Sequence, residues 1–423
     1  MTTDELLVRI EALIAQYRID SLPKYTLVKA GENLQAALDG DLPVQLEAGV
    51  TFNGNYIIRK PTALNGNGAS LVGNGAPALR IMPGVNNVLV ENVIGFSNYN
   101  GAVFQLGNND TAQTSVDSVP KVITMRNCSV PTHRGKRGFE VCAEADLIDC
   151  FVYDTYASTL QDSQGIFITN TTGNIRIIRG EYQAGSENIL VGGDYMKIPG
   201  VTPTNILVDS TKLTKPLSWR TDGVSRVIKN LFELKTGHQV TLRDVVMDGC
   251  WKNGQDGYAV VITPRLDGTI TGVTMERVKM VNVSAGFNIT GLNNVTVTPI
   301  MTTGLRILDC ELVTDHVTLG GRGCFMQVGG PMGTIDVERL KATTTGTSFV
   351  LHYDGKVERL RVADSDFNVG IYSFMIAGGA NASLWANGVT DFTVTGNTIR
   401  GSKAALKTNL TTIGKTPENV YIV

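Results

Sequence analysis

VTLRDV (240–245), VTMERV (273–278) and LRILDC (305–310) carry one beat: aliphatic residues at alternate positions, closing on Asp or Arg. It returns in VLVENV (88–93), VITMRN (122–127), IRIIRG (175–180), ILVDS (206–210), IDVERL (335–340) and FTVTGN (392–397). The closing residues are read as Asn92, Asn127, Asp149, Gly180, Asp209, Asp244, Arg277, Asp309, Arg339, Asp364 and Asn397, at steps of 22 to 35 residues. A β-rich repeat this short buries its apolar face only by stacking on its neighbours, which is the signature of a solenoid.

A second strand family lies between the beats, including GFEVCA (138–143), GIFITN (165–170), NILVGG (188–193), NLFELK (230–235) and GYAVVI (257–262). Two or more strand families per repeat, with few hairpin turns, point away from a sandwich. The reading is all-β: a single right-handed parallel β-helix of about ten or eleven coils, with a short N-terminal helix and a capping segment. Stacked at ~4.8 Å per coil, the rod would be about 50 Å long.

The chain divides into an amphipathic helix in 1–22, a cap in 23–60, the β-helix in 61–400 and a C-terminal cover in 401–423. In the first segment Leu6, Leu7, Ile10, Leu13, Ile14 and Tyr17 form an apolar face, and Thr2 with Glu5 fits a capping box. This helix is read as either a docking element or a lid. An uncovered first coil would expose strand edges, so NLQAAL (33–38) and the strands after it are read as the cap.

Composition narrows the function. The 423 residues are 42% hydrophobic and 18% charged, with 46 dispersed Gly, 14 Pro and a net charge of −2. No Lys/Arg block argues for nucleic acid. No apolar run is long enough for a membrane helix, and the N-terminus lacks the features of a signal peptide. With four His and no C-x-x-C among six cysteines, neither a metal site nor a cofactor is expected. Cys128, Cys150 and Cys310 share one place in the beat and are read as free thiols stacked inside the rod.

Aligning the second strand family on its leading Gly or Asn puts Arg137, Gln164, Glu187, Lys229, Asp256, Ala285 and Arg322 in one row. Glu187, Lys229 and Asp256 would then lie on adjacent coils beside the largest insertion, 188–230. Two carboxylates around an ammonium suit general acid–base work, and the same row reads equally as a ladder of alternating charges. Tyr195, Trp219 and Trp251 are candidates to stack on sugar rings, Arg220 to pair with a sugar carboxylate, and Gln164 and Gln255 to hydrogen-bond the ligand. Asp162 is placed near the same groove. His352, beside Asp354 and Lys356, is read as a structural hydrogen-bonding residue.

GENLQAALDGDLPVQLEAGVTFNGNYII (31–58) resembles the entry coil of right-handed β-helix, pectate-lyase-like proteins. NILVGGDYMKIPGVTPTNI (188–206), TKPLSWR (214–220) and the stretch from Lys229 to Arg265 are similar to bacterial and phage β-helix proteins without a settled activity. The resemblance implies carbohydrate handling. The polygalacturonase strings N-T-D, D-D and G-H-G do not occur. The first functional expectation is a phage-type virion protein of the spike, fibre or decoration class, a glycan-binding shaft that is trimeric and assembles with other virion proteins. It would work on the virion or outside the cell. The alternatives are a lyase or glycoside hydrolase acting on acidic polysaccharide, and a structural or adhesive protein without a ligand.

Overall fold

The beat becomes two columns of side chains. In strand Gly173–Ile178, Ile175 pairs with Ile206 and Ile177 with Val208 on the next coil. Val240 and Leu242 continue the two columns, then Val273 and Met275, then Leu305 and Ile307. All of these are essentially inaccessible to solvent. Side chains alternate along a strand, so the apolar letters point inward and the letters between them point out.

The computed structural model describes residues 25–422 apart from 267, 292–302, 330, 353–356, 371, 376–388 and 402–419. The expected helix in 1–22 lies outside the described residues. Each coil visits three parallel sheets in turn. Gly173–Ile178 belongs to sheet I, Glu181–Ala184 to sheet III and Glu187–Val191 to sheet II. Sheets I and III have 14 described strands and sheet II has 12, so the rod is longer than the ten or eleven coils expected. The extra coils lie early. Val44–Leu46, Thr51–Asn53 and Tyr56–Ile58 already enter the three sheets, although 23–60 was read as a cap. Their coils are short and lack the beat. Within that stretch helix α1 (Leu34–Leu38), capped by the Asn33 side chain, buries Leu34 and Leu38 in the core. At the other end Val420–Ile422 pairs in parallel with Asn397–Arg400.

The punctuating letters are backbone devices. Asn92, Asn127, Asp149, Asp244, Arg277, Asp309, Arg339 and Asp364 hold φ between 49° and 57°. Asn and Asp tolerate this left-handed conformation better than other non-glycine residues. At three coils the turn sits one residue from the expected letter, on Arg179, Ser210 and Gly396 instead of Gly180, Asp209 and Asn397. The corner side chains bond from coil to coil. Asn127 Nδ2 donates to Asn92 Oδ1 at 2.7 Å, and Asn92 Nδ2 donates to Asn65 Oδ1 at 3.1 Å. Further along, Arg179 pairs in a two-pronged way with Asp149, Arg277 with Asp244 and Arg339 with Asp309. These corners are exposed, so each ion pair adds little stability and chiefly orders the edge.

All six cysteines are free and buried, and Cys128, Cys150 and Cys310 sit just after the left-handed corner, as expected. Aromatic rings stack on the same principle. Phe349 lies 4.9 Å from Phe325 and 4.2 Å from Phe367, nearly parallel to both. Because each ring contacts the coil above or below, Phe349→Ala should lower unfolding free energy by about 3–5 kcal/mol. Urea denaturation followed by circular dichroism measures it, and a loss below 1 kcal/mol would contradict the packing described.

Candidate functional site

Sheet II differs from the other two. Ala102–Leu106, Gln164–Ile168, Glu187–Val191, Asn230–Leu234 and Tyr258–Ile262 are buried at every position, on the outer face as well as the inner. Insertions at the coil corners wall in the outer face. On one side Asn170 ties two of them down. Its Nδ2 donates to Asn108 O and Gln113 O at 2.9 Å, and its Oδ1 accepts from Lys197 N at 2.8 Å. On the other side the 215–229 insertion is docked by Arg226, which ion-pairs with Asp154 and Asp222 and stacks over Tyr156 and Trp219.

The expected charged row is only partly real. Register puts Arg137, Gln164, Glu187 and Asn230 side by side, and Tyr258 beside Ala285. Lys229 is therefore one residue out of the row and Asp256 is two residues before Tyr258. The leading letters misled because Asn188 and Asn230 face opposite ways. Asn188 turns inward and donates to Tyr182 O and Thr214 O, whereas Asn230 turns outward and donates to Glu233 Oε2 at 2.8 Å. Gly257 is a left-handed corner, φ 73°, and lies outside the strand.

Glu187 and Lys229 nonetheless meet. Lys229 Nζ lies 3.4 Å from Glu187 Oε1 and also bonds Asp162. Gln164 Nε2 donates to Glu187 Oε2 at 2.8 Å. Glu187 is 2% exposed. Burial pushes its carboxyl up to about 8, reinforced by Glu233 and Asp162 and opposed by Lys229 and by the Gln164 hydrogen bond. Burial pushes the Lys229 ammonium down, but the carboxylates of Glu187, Asp162 and Glu233 outweigh it, and the net shift is upward.

Asp256 instead faces Lys252 at 3.7 Å and Arg322 at 3.4 Å. It lines a cleft of about 540 Å³ together with Glu233, Lys235, Gln255, Tyr258, Arg265, Asn288 and Gln327. Glu233 is thus the hinge of the site. It belongs to the buried cluster and also lines the cleft, bonded by Asn230 on one side and ion-paired with Lys235 on the other. Tyr258 Oη donates to Gln327 Oε1 at 2.8 Å, and Gln327 Nε2 contacts Asn288 Oδ1 at 3.4 Å, a polar wall suited to hydroxyl-rich ligands. Glu233, Lys235 and Asn230 were missed from sequence. The available signal was a charge at an outward position of an otherwise apolar strand, NLFEL.

The expected sugar platforms do not assemble. Trp251 is buried against Ile228 and Leu319, with Trp219 packed on that cluster. Arg220 donates to Thr318 O at 2.7 Å. Tyr195 is 52% exposed and lies in the 192–203 insertion that follows strand Glu187–Val191. Asp354 and Lys356, named with His352, lie outside the described residues.

No family model matches the sequence, and no curated protein matches it. Solved structures similar to it include an alginate lyase from Paenibacillus sp. str. FPU-7, at 13% identity and a TM-score of 0.36, covering 82% of this chain and 93% of that one. A tailspike protein of Acinetobacter baumannii bacteriophage Fri1, described as a capsular polysaccharide depolymerase, is 10% identical with a TM-score of 0.36. That match covers 95% of this chain and 62% of the tailspike. A family 28 exopolygalacturonase of Yersinia enterocolitica is 12% identical with a TM-score of 0.37, covering 89% of this chain and 78% of that one. These likenesses are remote, and the parallel β-helix assigned to this chain rests on its own three stacked parallel sheets.

Folded, Glu187 keeps its proton to about pH 8, whereas the unfolded chain releases it near the ordinary carboxylate range. The folded state therefore holds the extra proton between about pH 4.5 and 8, and stability falls as pH rises through that window. Glu187→Gln should match the wild type in urea stability at pH 4 and exceed it at pH 9, by on the order of 2–4 kcal/mol. A difference that does not change with pH would show that Glu187 is ionised throughout.

Proposed function

We propose that the outer face of sheet II handles polysaccharide, and that the cleft cuts a glycosidic bond by hydrolysis. The observation that carries this reading is the pair of carboxylates, Glu233 and Asp256, lining one polar cleft, with the proton-holding Glu187 behind Glu233. Hydrolysis needs one carboxyl group to protonate the leaving oxygen and one carboxylate to assist attack at the anomeric carbon. The C–O bond breaks, water supplies the new hydroxyl, and its proton replaces the one given up. Lys252 and Arg322 hold Asp256 as the carboxylate that assists attack, and Glu233, which shares the buried cluster with the proton-holding Glu187, is the group that protonates the leaving oxygen. Lys235 and Arg265 at the rim favour a chain bearing carboxylates or other anionic groups.

The test is a panel of acidic and neutral polysaccharides assayed for new reducing ends and, separately, for unsaturated products. Glu233→Gln and Asp256→Asn should each lower kcat at least 100-fold while melting within a few degrees of the wild type, since both residues line the cleft and the amide keeps the size and shape of the carboxyl group. Unsaturated products would replace hydrolysis by elimination. Binding without turnover in the wild type would favour the second reading, a glycan-binding virion shaft, which draws its support from the regular rod. That reading further expects a trimer, which light scattering measures directly.

A further inference from the structure

Inside the rod, behind Glu187, lies a buried lysine. Lys215 is 1% exposed, and its Nζ donates to Ala184 O at 2.7 Å, Ser186 O at 3.0 Å and Asn188 Oδ1 at 2.6 Å. An ammonium group has three hydrogens, and here each has an acceptor. Asn188 extends the network by donating to Tyr182 O at 2.6 Å and Thr214 O at 2.8 Å. The backbone approaches closely at the next coil: a Cβ on Gly249, φ +84°, would lie 2.0 Å from Lys215 O.

A buried charge costs several kcal/mol unless its geometry returns that energy, and an uncharged side chain of the same length would fill the space without the penalty. The acceptors show where the return falls. Ser186 and Asn188 flank Glu187, and Ala184 ends the preceding strand. The Ser186 carbonyl also accepts from Asn230 N at 3.0 Å, linking the corner to the strand that carries Glu233. Lys229 has a similar inner support, since Cys250 Sγ donates to its carbonyl at 2.9 Å.

We infer that Lys215 is a positioning residue: from inside the rod it holds the 184–188 corner so that the Glu187 carboxyl stays sealed against Gln164 and behind Glu233. The inference rests on the reading of sheet II as the working face, but its first readout needs no substrate. The Glu187 carboxyl is followed by carbon NMR on glutamate-labelled full-length protein, with Glu187→Gln identifying the signal. In Lys215→Met the corner loosens and water reaches the carboxyl; loss of the ammonium charge alone would raise the titration midpoint, so a fall of at least one pH unit reports the loosening. A folded Lys215→Met with an unchanged or raised midpoint would overturn the inference. Should that variant fail to fold, Asn188→Ala, which removes one acceptor of the same ammonium, must lower the midpoint in the same direction. Thr211→Val, another buried polar change that breaks bonds to Ile177 O and Asp209 O, should leave it unmoved. On any polysaccharide that is cleaved, Lys215→Met should lower kcat at least tenfold with KM within about threefold. If no polysaccharide is cleaved, the hydrolase reading fails while the midpoint test still decides the role of Lys215.

Discussion

Every coil must turn at the same place as the one below it. Parallel strands in neighbouring coils share hydrogen bonds along their whole length, so a corner displaced by one residue would send the following side chains to the wrong face. The left-handed residue at the end of each sheet I strand meets that constraint. It bends the chain at a fixed point, and the inward columns that precede it, Ile175 to Leu305 and Ile177 to Ile307, stack without interruption. Asn and Asp populate the corner because their short polar side chains tolerate positive φ, and the same side chains then bond between coils. Arg179, Arg277 and Arg339 enter the same conformation where an Asp in the coil below accepts their guanidinium groups.

Regular stacking also makes the site possible. With the interior filled by repeating columns, insertions can be carried at corners without disturbing the core. Those around 107–120, 192–203 and 215–229 rise beside sheet II and remove its outer face from water. Charges on that face then behave differently from the exposed corner pairs. Glu187 holds its proton to about pH 8, and above that pH its carboxylate joins those of Asp162 and Glu233 in keeping Lys229 charged. The low polarity that makes these groups costly to bury also strengthens their interactions. Lys215 extends the arrangement through the sheet, so that the inner and outer faces of one corner are linked.

By itself the sequence determined the solenoid. The repeat of V-x-V followed by Asp, Asn or Arg carries the information twice, in the alternation that makes strands and in the residue that makes the turn. The interior thiols were legible for the same reason, since Cys128, Cys150 and Cys310 occupy one repeating slot. Glu187, Lys229 and Gln164 were found because each precedes the leading Gly or Asn of the second strand family. The tertiary structure alone decided which residues complete the site. Asn188 and Asn230 are the same letter at similar places, yet one bonds into the rod and the other out of it, so Lys229 and Asp256 left the expected row, Asn230 entered it, and Glu233, in the row of Leu190 and Val261, joined the cluster. Trp219, Trp251 and Arg220 were spent on docking the insertions. Corner loops of different lengths do not repeat, and their placement depends on contacts with neighbouring coils that no local pattern encodes.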